Sequence, residues 1–112
     1  MKKAAFAAGL LLTLAVAGHA EFFAGNKLAS DWQEYKKYTA GVDYEVFAAY
    51  HYIGYVTGVT DVYCGVIDIP NGATVGQICS IVGKWLEDHP EEWNFTADVL
   101  VYRALLKAFG KK

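Results

Sequence analysis

Apolar residues recur at helical spacing along four stretches of this chain, with polar punctuation between them. The longest stretch runs from Asp43 to Cys64 as D-Y-E-V-F-A-A-Y-H-Y-I-G-Y-V-T-G-V-T-D-V-Y-C. At about 100° per residue, Tyr44, Ala48, Tyr52, Tyr55, Val56, Val59, Val62 and Tyr63 share one broad arc, and Val46, Phe47, Tyr50 and Ile53 lie on the other side. Apolar character all round predicts a central helix buried on several faces. Gly54 and Gly58 stand four apart on one flank. Each costs roughly 1 kcal/mol against alanine inside a helix, and the compensation expected is close packing by another helix, with a ligand slot as the alternative.

Leu28, Trp32 and Tyr35 predict a first amphipathic helix over 26–37, capped by Asn26 and ended by a turn at Tyr38-Thr39-Ala40-Gly41. Asp43 can cap the central helix. The run G-V-I-D-I-P-N-G-A after Cys64 is a connecting loop, with room for a short extended piece at 66–69. Thr74-Val75-Gly76-Gln77 is a capping box, in which hydroxyl and amide side chains satisfy each other's backbone N–H groups. From it Val75, Ile78, Ile81, Val82, Trp85 and Leu86 form one stripe. Pro90 disfavours helical geometry at His89 and stops that helix. A polar, acidic link, anchored by Trp93 and Phe95, leads to Thr96, which caps the last helix. Its buried face is Ala97, Leu100, Val101, Ala104, Leu105 and Ala108, and Gly110 ends it. Asp98 in its first turn and Lys107 in its last suit the helix dipole. The fold class is therefore all-α, a small single-domain bundle of four main helices around the helix at about 43–64.

Composition changes this picture at the N-terminus. Met1-Lys2-Lys3 is basic, Ala4 to Ala17 is apolar and uncharged, and Gly18-His19-Ala20 supplies small residues before Glu21. That pattern predicts a secretory signal peptide over 1–20, removed after Ala20. The apolar run is shorter than the ~20 residues a membrane span needs, so the expectation is export to a periplasm with no stable membrane insertion after cleavage. The remaining 21–112 domain carries eight basic and twelve acidic side chains, a net charge of −4. Such a surface excludes nucleic acid as an expected partner, since phosphate binding needs a basic patch.

In an oxidising compartment Cys64 and Cys79 are expected to form a disulfide. It would close a loop of about fifteen residues and add ~3 kcal/mol. A zinc site combining them with His51 and His89 is disfavoured, because the four ligands are scattered rather than arranged as close pairs. No metal or cofactor is expected.

No catalytic set emerges either. Ser30 and Ser80 lack an elbow-like context, and His51 on an apolar helix reads as a hydrogen-bonded core histidine. His89, ahead of a proline, reads as a residue that positions the turn. Asp61 reads as a structural anchor, accepting from backbone amides or a hydroxyl. Glu87, Asp88, Glu91 and Glu92 are the densest acidic cluster. They read either as a solvated surface or as a loop that meets a basic, donor-rich groove on a protein partner. The sequon at Asn94-Phe95-Thr96 is idle in a bacterial setting.

With these residues in view the chain resembles the Tai-type immunity proteins of bacterial type VI secretion, which protect a cell against peptidoglycan amidase effectors. The resemblance runs from Gly25-Asn26-Lys27-Leu28 to Phe109. It is carried by Tyr55-x-x-Gly58-x-x-Asp61, Ile69-Pro70-Asn71-Gly72-Ala73-Thr74-x-Gly76-Gln77, Val82 through Leu86, His89-Pro90-Glu91, and Ala104-Leu105-x-x-Ala108-Phe109. It implies a small, exported, helical and often dimeric protein. Many members carry a pair of cysteines at the places held here by Asp68 and Gly110, and the two are lost together, as a bonded pair would be.

The expectation is a non-enzymatic inhibitor that binds a cognate cell-wall amidase and covers its cleft with a loop at 87–95. Glu87, Asp88, His89, Glu91, Glu92 and Trp93 are the expected contact residues, with Gly54, Gly58, Asp61, Pro70, Gly72, Thr74 and Gln77 structural. The competing reading is a small periplasmic acid-stress chaperone or an orphan binding protein, with the twelve acids supplying a pH response.

Overall fold

A computed structural model describes residues 22–112, and the expected signal peptide lies outside the described residues. Four helices carry the chain: α1 (Gly25–Ala40), α2 (Val46–Tyr63), α3 (Val75–Asp88) and α4 (Ala97–Phe109), with a single 3-10 turn at Pro90–Glu92 between α3 and α4. The most extensive pairing is α1 against α2, and both pack onto the α3–α4 pair. Leu28, Trp32, Tyr35, Tyr52, Val56, Val82, Leu86, Leu100, Val101 and Leu105 meet in one buried cluster. The all-α bundle expected from the spacing is what forms.

The ends of the helices show which sequence signals mattered. The capping box of α3 forms as read: Gln77 N–H donates to the Thr74 hydroxyl at 3.1 Å, and Thr74 N–H to the Gln77 side chain at 2.8 Å. Asn26 does not cap α1; the cap is Ala24, whose carbonyl accepts from Lys27 and Leu28. Asp43 does not cap α2 either. Glu45 does, accepting from Ala48 N–H at 2.6 Å, while its own N–H donates to Glu34 of α1 at 2.9 Å. A longer acidic side chain thus locks the α1–α2 corner. α1 runs on through the expected turn to Ala40 and closes at Gly41, where Val42 N–H returns to Lys37 O and Gly41 N–H to Tyr38 O. Thr96 stands at the N-cap of α4 with no side-chain cap bond.

Burial of α2 differs from expectation. Only Ala48, Ala49, Tyr52 and Val56 are buried, while Phe47 is 84% exposed and Val62 74% exposed. Among the described residues, α1, α3 and α4 cover one side of α2, and the other side is covered only at Tyr50, whose ring meets Tyr38 edge-on at 5.8 Å. Gly54 and Gly58 lie on that outer side, and a Cβ at either would meet nothing within 4 Å. The close helix packing expected there occurs instead at Gly83 of α3, where a Cβ would stand 2.3 Å from ring atoms of Trp32. Elsewhere the stripes hold, except that Val75 and Ala108 are exposed.

The expected disulfide is absent. Cys79 is buried and Cys64 exposed, both as free thiols. Helical phase explains the difference. Cys79 follows Ile78 on the inner face of α3, where Tyr52 Oη donates to its carbonyl at 2.7 Å. Cys64 sits at the outer end of α2, its thiol turned to Asp61 O at 3.2 Å. Burial pushes the Cys79 thiol up to about 11, which marks it as an unreactive core group. A backbone pairing closes the bundle instead: Asp68 N–H donates to Gly110 O and Lys112 N–H to Val66 O, each at 2.9 Å. Asp68 and Gly110 are the two positions at which the family resemblance implies a bonded cysteine pair.

Candidate functional site

The turn between α3 and α4 is short and heavily tied. Pro90 cannot continue α3, so the chain makes one 3-10 turn, with Glu92 N–H to His89 O at 3.0 Å and Phe95 N–H to Glu92 O at 3.0 Å. His89 does position the turn, its Nδ1 lying 2.8 Å from Trp85 O and its ring stacked 4.2 Å from the Trp85 ring. Trp93 reaches back into the bundle and donates its indole N–H to Leu86 O at 2.9 Å, a carbonyl in the last turn of α3 that also accepts from His89 N–H at 3.2 Å. The far side is held by the start of α1 and the residues just before it: Gly25 N–H donates to Phe95 O at 2.9 Å, and Ala97 N–H to Phe23 O at 3.0 Å. A side chain at 25 could not be fitted, since a Cβ there would stand 2.4 Å from Phe95 O. The guanidinium of Arg103 sits 4.5 Å over the Phe95 ring and also pairs with Glu92.

The acidic cluster therefore divides. Glu87 turns back to α1, where it accepts from the Trp32 indole at 2.7 Å and from Lys36. Those two donors, Lys36 first, hold its carboxyl below the ordinary carboxylate range. Glu92 is taken by Arg103. Asp88 and Glu91 are exposed, and neither makes an ion pair among the described residues. The surface left for a partner is thus Asp88, Glu91 and the stacked Trp85–His89 pair, on a turn that cannot move freely. His89, Glu91 and Glu92 bring ligand atoms within 4.8 Å of one another, but Glu92 is already paired with Arg103.

The structural candidates fall elsewhere. Pro70, Gly72 and Gln77, with Ile81, Lys84 and Phe109, line a largely apolar surface groove of about 560 Å³. Asp61 is exposed, and its carboxylate accepts no hydrogen bond among the described residues; only its backbone carbonyl does, from the Cys64 thiol, so the side chain is not the anchor expected. It borders a smaller hollow of about 260 Å³ shared with Cys64 and Thr74. His51 is not a core histidine. It is half exposed, and its Nδ1 faces the carboxylate of Asp31 at 3.1 Å. Asp31 is the buried acid that sequence reading missed: fully enclosed, it takes Lys27 at 2.6 Å on its other oxygen. The Lys27–Asp31 spacing of four was a visible signal; its burial was not. Arg103, which draws Glu92 out of the acidic cluster, was missed as well.

The family model of the Rap1a immunity proteins matches residues 24–110, which takes in all four helices and the turn. No curated protein and no solved structure matches the chain.

Proposed function

The chain belongs to the Rap1a immunity proteins, and from that premise we propose that it is a periplasmic inhibitor that neutralises a peptidoglycan amidase effector of type VI secretion. The family supports an immunity role and a cognate effector as partner; the Tai-type resemblance narrows that effector to the amidases. In this reading the protein acts by binding and carries out no chemistry of its own. The turn at 88–95 enters the amidase cleft and blocks the path of the peptide stem.

The observation that carries the choice of surface is the pinning of that turn. Bonds from Trp93 to Leu86, His89 to Trp85 and Gly25 to Phe95 fix its backbone before a partner arrives. A preordered loop loses little entropy on binding, the usual condition for a tight protein inhibitor. Asp88 and Glu91, free of internal partners, supply the charge that a donor-rich cleft would meet.

Trp93→Ala is expected to weaken inhibition by about tenfold or more, acting partly through the turn's geometry because the indole is bonded to Leu86. A double change, Asp88→Lys with Glu91→Lys, touches exposed carboxylates only. It is the cleaner test: inhibition of the amidase should fall while the melting temperature holds. Undiminished inhibition by the double variant would move the contact surface away from this turn. The protein is further proposed to act as a homodimer, as the resemblance implies.

A further inference from the structure

The basic side chains of the described residues fall into two sets. Lys27, Lys36, Lys37 and Arg103 are each paired with a carboxylate. Lys84, Lys107, Lys111 and Lys112 make no ion pair among the described residues, and all four gather at the groove of about 560 Å³ beside α3. Lys84 lines it, and the other three stand within three residues of Phe109, which lines it too. Segments 66–84 and 107–112, which contain the lining residues, carry these four lysines against a single acid, Asp68. Charge is reversed here in a domain that is acidic as a whole, and such a patch draws anions.

The groove between these charges is largely apolar, with Pro70, Ala73, Ile81 and Phe109 in its lining. Its polar lining comes from α3, where Gln77, Ser80 and Lys84 follow one another at helical spacing. The surrounding backbone has little to give. Pro70 has no N–H, Ala73 N–H donates to Pro70 O at 3.0 Å, Thr74 N–H to the Gln77 side chain at 2.8 Å and Ile78 N–H to Thr74 O at 3.0 Å. A peptide laid in the groove would find no backbone partners there, whereas an alkyl chain needs none. The volume lies within the range of about 300–1,000 Å³ common to small-molecule sites.

We infer that this groove binds a single-chain fatty carboxylate. The alkyl chain lies along Pro70, Ala73, Ile81 and Phe109, and the carboxylate meets the Lys84 ammonium, with the Ser80 hydroxyl one turn away as a second donor. Lys84 is exposed, so its stem can follow the apolar wall while its charged end stays at the rim. A charge-assisted N–H···O bond there decides which end of the ligand faces water. Lys107, Lys111 and Lys112 raise the local concentration of the anion without being required to touch it. None of these residues belongs to the turn at 88–95, so the site is independent of the inhibitory role proposed above.

Calorimetric titration of the exported protein, stripped of lipid, with sodium dodecanoate below its micelle-forming concentration tests this. One saturable site per chain is expected, and decanoate, two methylenes shorter, should bind about fivefold or more weakly. Lys84→Glu should weaken dodecanoate about tenfold or more while leaving the melting temperature unchanged, since the side chain is exposed and unpaired. Ser80→Phe, which fills the groove, should weaken it as much by occupying the place of the chain. Absence of saturable binding overturns the inference, and so does binding that neither variant alters. Capture of the protein by phosphatidylglycerol vesicles, without one-to-one binding of the free acid, would make a membrane surface the occupant and overturn it as well.

Discussion

Trp32 on α1 and Glu87 on α3 are joined by an indole-to-carboxylate hydrogen bond of 2.7 Å, while the Trp32 ring covers Gly83 one turn earlier on α3. The bond takes one acid out of the exposed cluster and ties the helix that leads into the turn to the first helix of the bundle. The position of the candidate binding surface therefore depends on a contact that its neighbour Glu87 makes with another helix.

Gly83 should consequently be intolerant of any side chain. Gly83→Ala would set a methyl 2.3 Å from the Trp32 ring, and the overpacking should cost about 1–3 kcal/mol. Urea unfolding followed by tryptophan fluorescence measures it, and an unchanged midpoint would contradict the packing described.

Acid should act through Glu87. Its carboxyl is held low by Lys36 and Trp32, so the charged form is favoured in the folded state. That stabilisation is complete above the ordinary carboxylate range and is lost as pH falls through the lowered folded value. Glu87→Gln should remove part of the stability loss seen on going from neutral pH to below that range. Equal acid sensitivity in wild type and variant would show that the bond contributes nothing.

The two cysteines should behave differently. An uncharged maleimide at neutral pH should label Cys64 rapidly and leave Cys79 untouched until the protein unfolds, because Cys79 is buried with its thiol raised to about 11. Intact-mass measurement without reductant should find no intramolecular bridge. A mass lower by two protons, or equal labelling, would contradict the arrangement.

Asp31 is fully buried between Lys27 and His51. Asp31→Ala should destabilise by about 1–3 kcal/mol through the loss of a bonded charged acceptor. Lys27→Ala should cost much less, since the lysine end of the pair is more than half exposed. Comparable melting shifts for the two variants would reject that asymmetry.

Much of the bundle is legible in the sequence because it depends on short-range rules. The Thr74–Gln77 box and Pro90 act over three or four residues, and α3 begins and ends where they say. The α3 and α4 stripes likewise name their buried faces. α2 is the counterexample: an apolar surface all round does not say how many neighbours it will have, and four helices could cover only one side of it. Compartment alone predicts a Cys64–Cys79 bridge, while helix phase sets Cys79 inward and Cys64 outward. In the candidate site, Pro90 is a local signal for the turn at His89, whose Nδ1 lies 2.8 Å from Trp85 O. The division of the acids was not readable, because Glu87 and Glu92 are claimed by Lys36, Trp32 and Arg103 from other helices. Long-range pairing of this kind leaves no local pattern.

The most direct measurement on the central claim is native purification of the tagged protein from the periplasm of its own host, with mass spectrometry of whatever remains bound. The account predicts one cell-wall amidase in stoichiometric amount, inactive on peptidoglycan until the protein is removed. Recovery of the protein alone, or with many unrelated proteins released by raising the pH as an acid-stress chaperone would hold them, would contradict it.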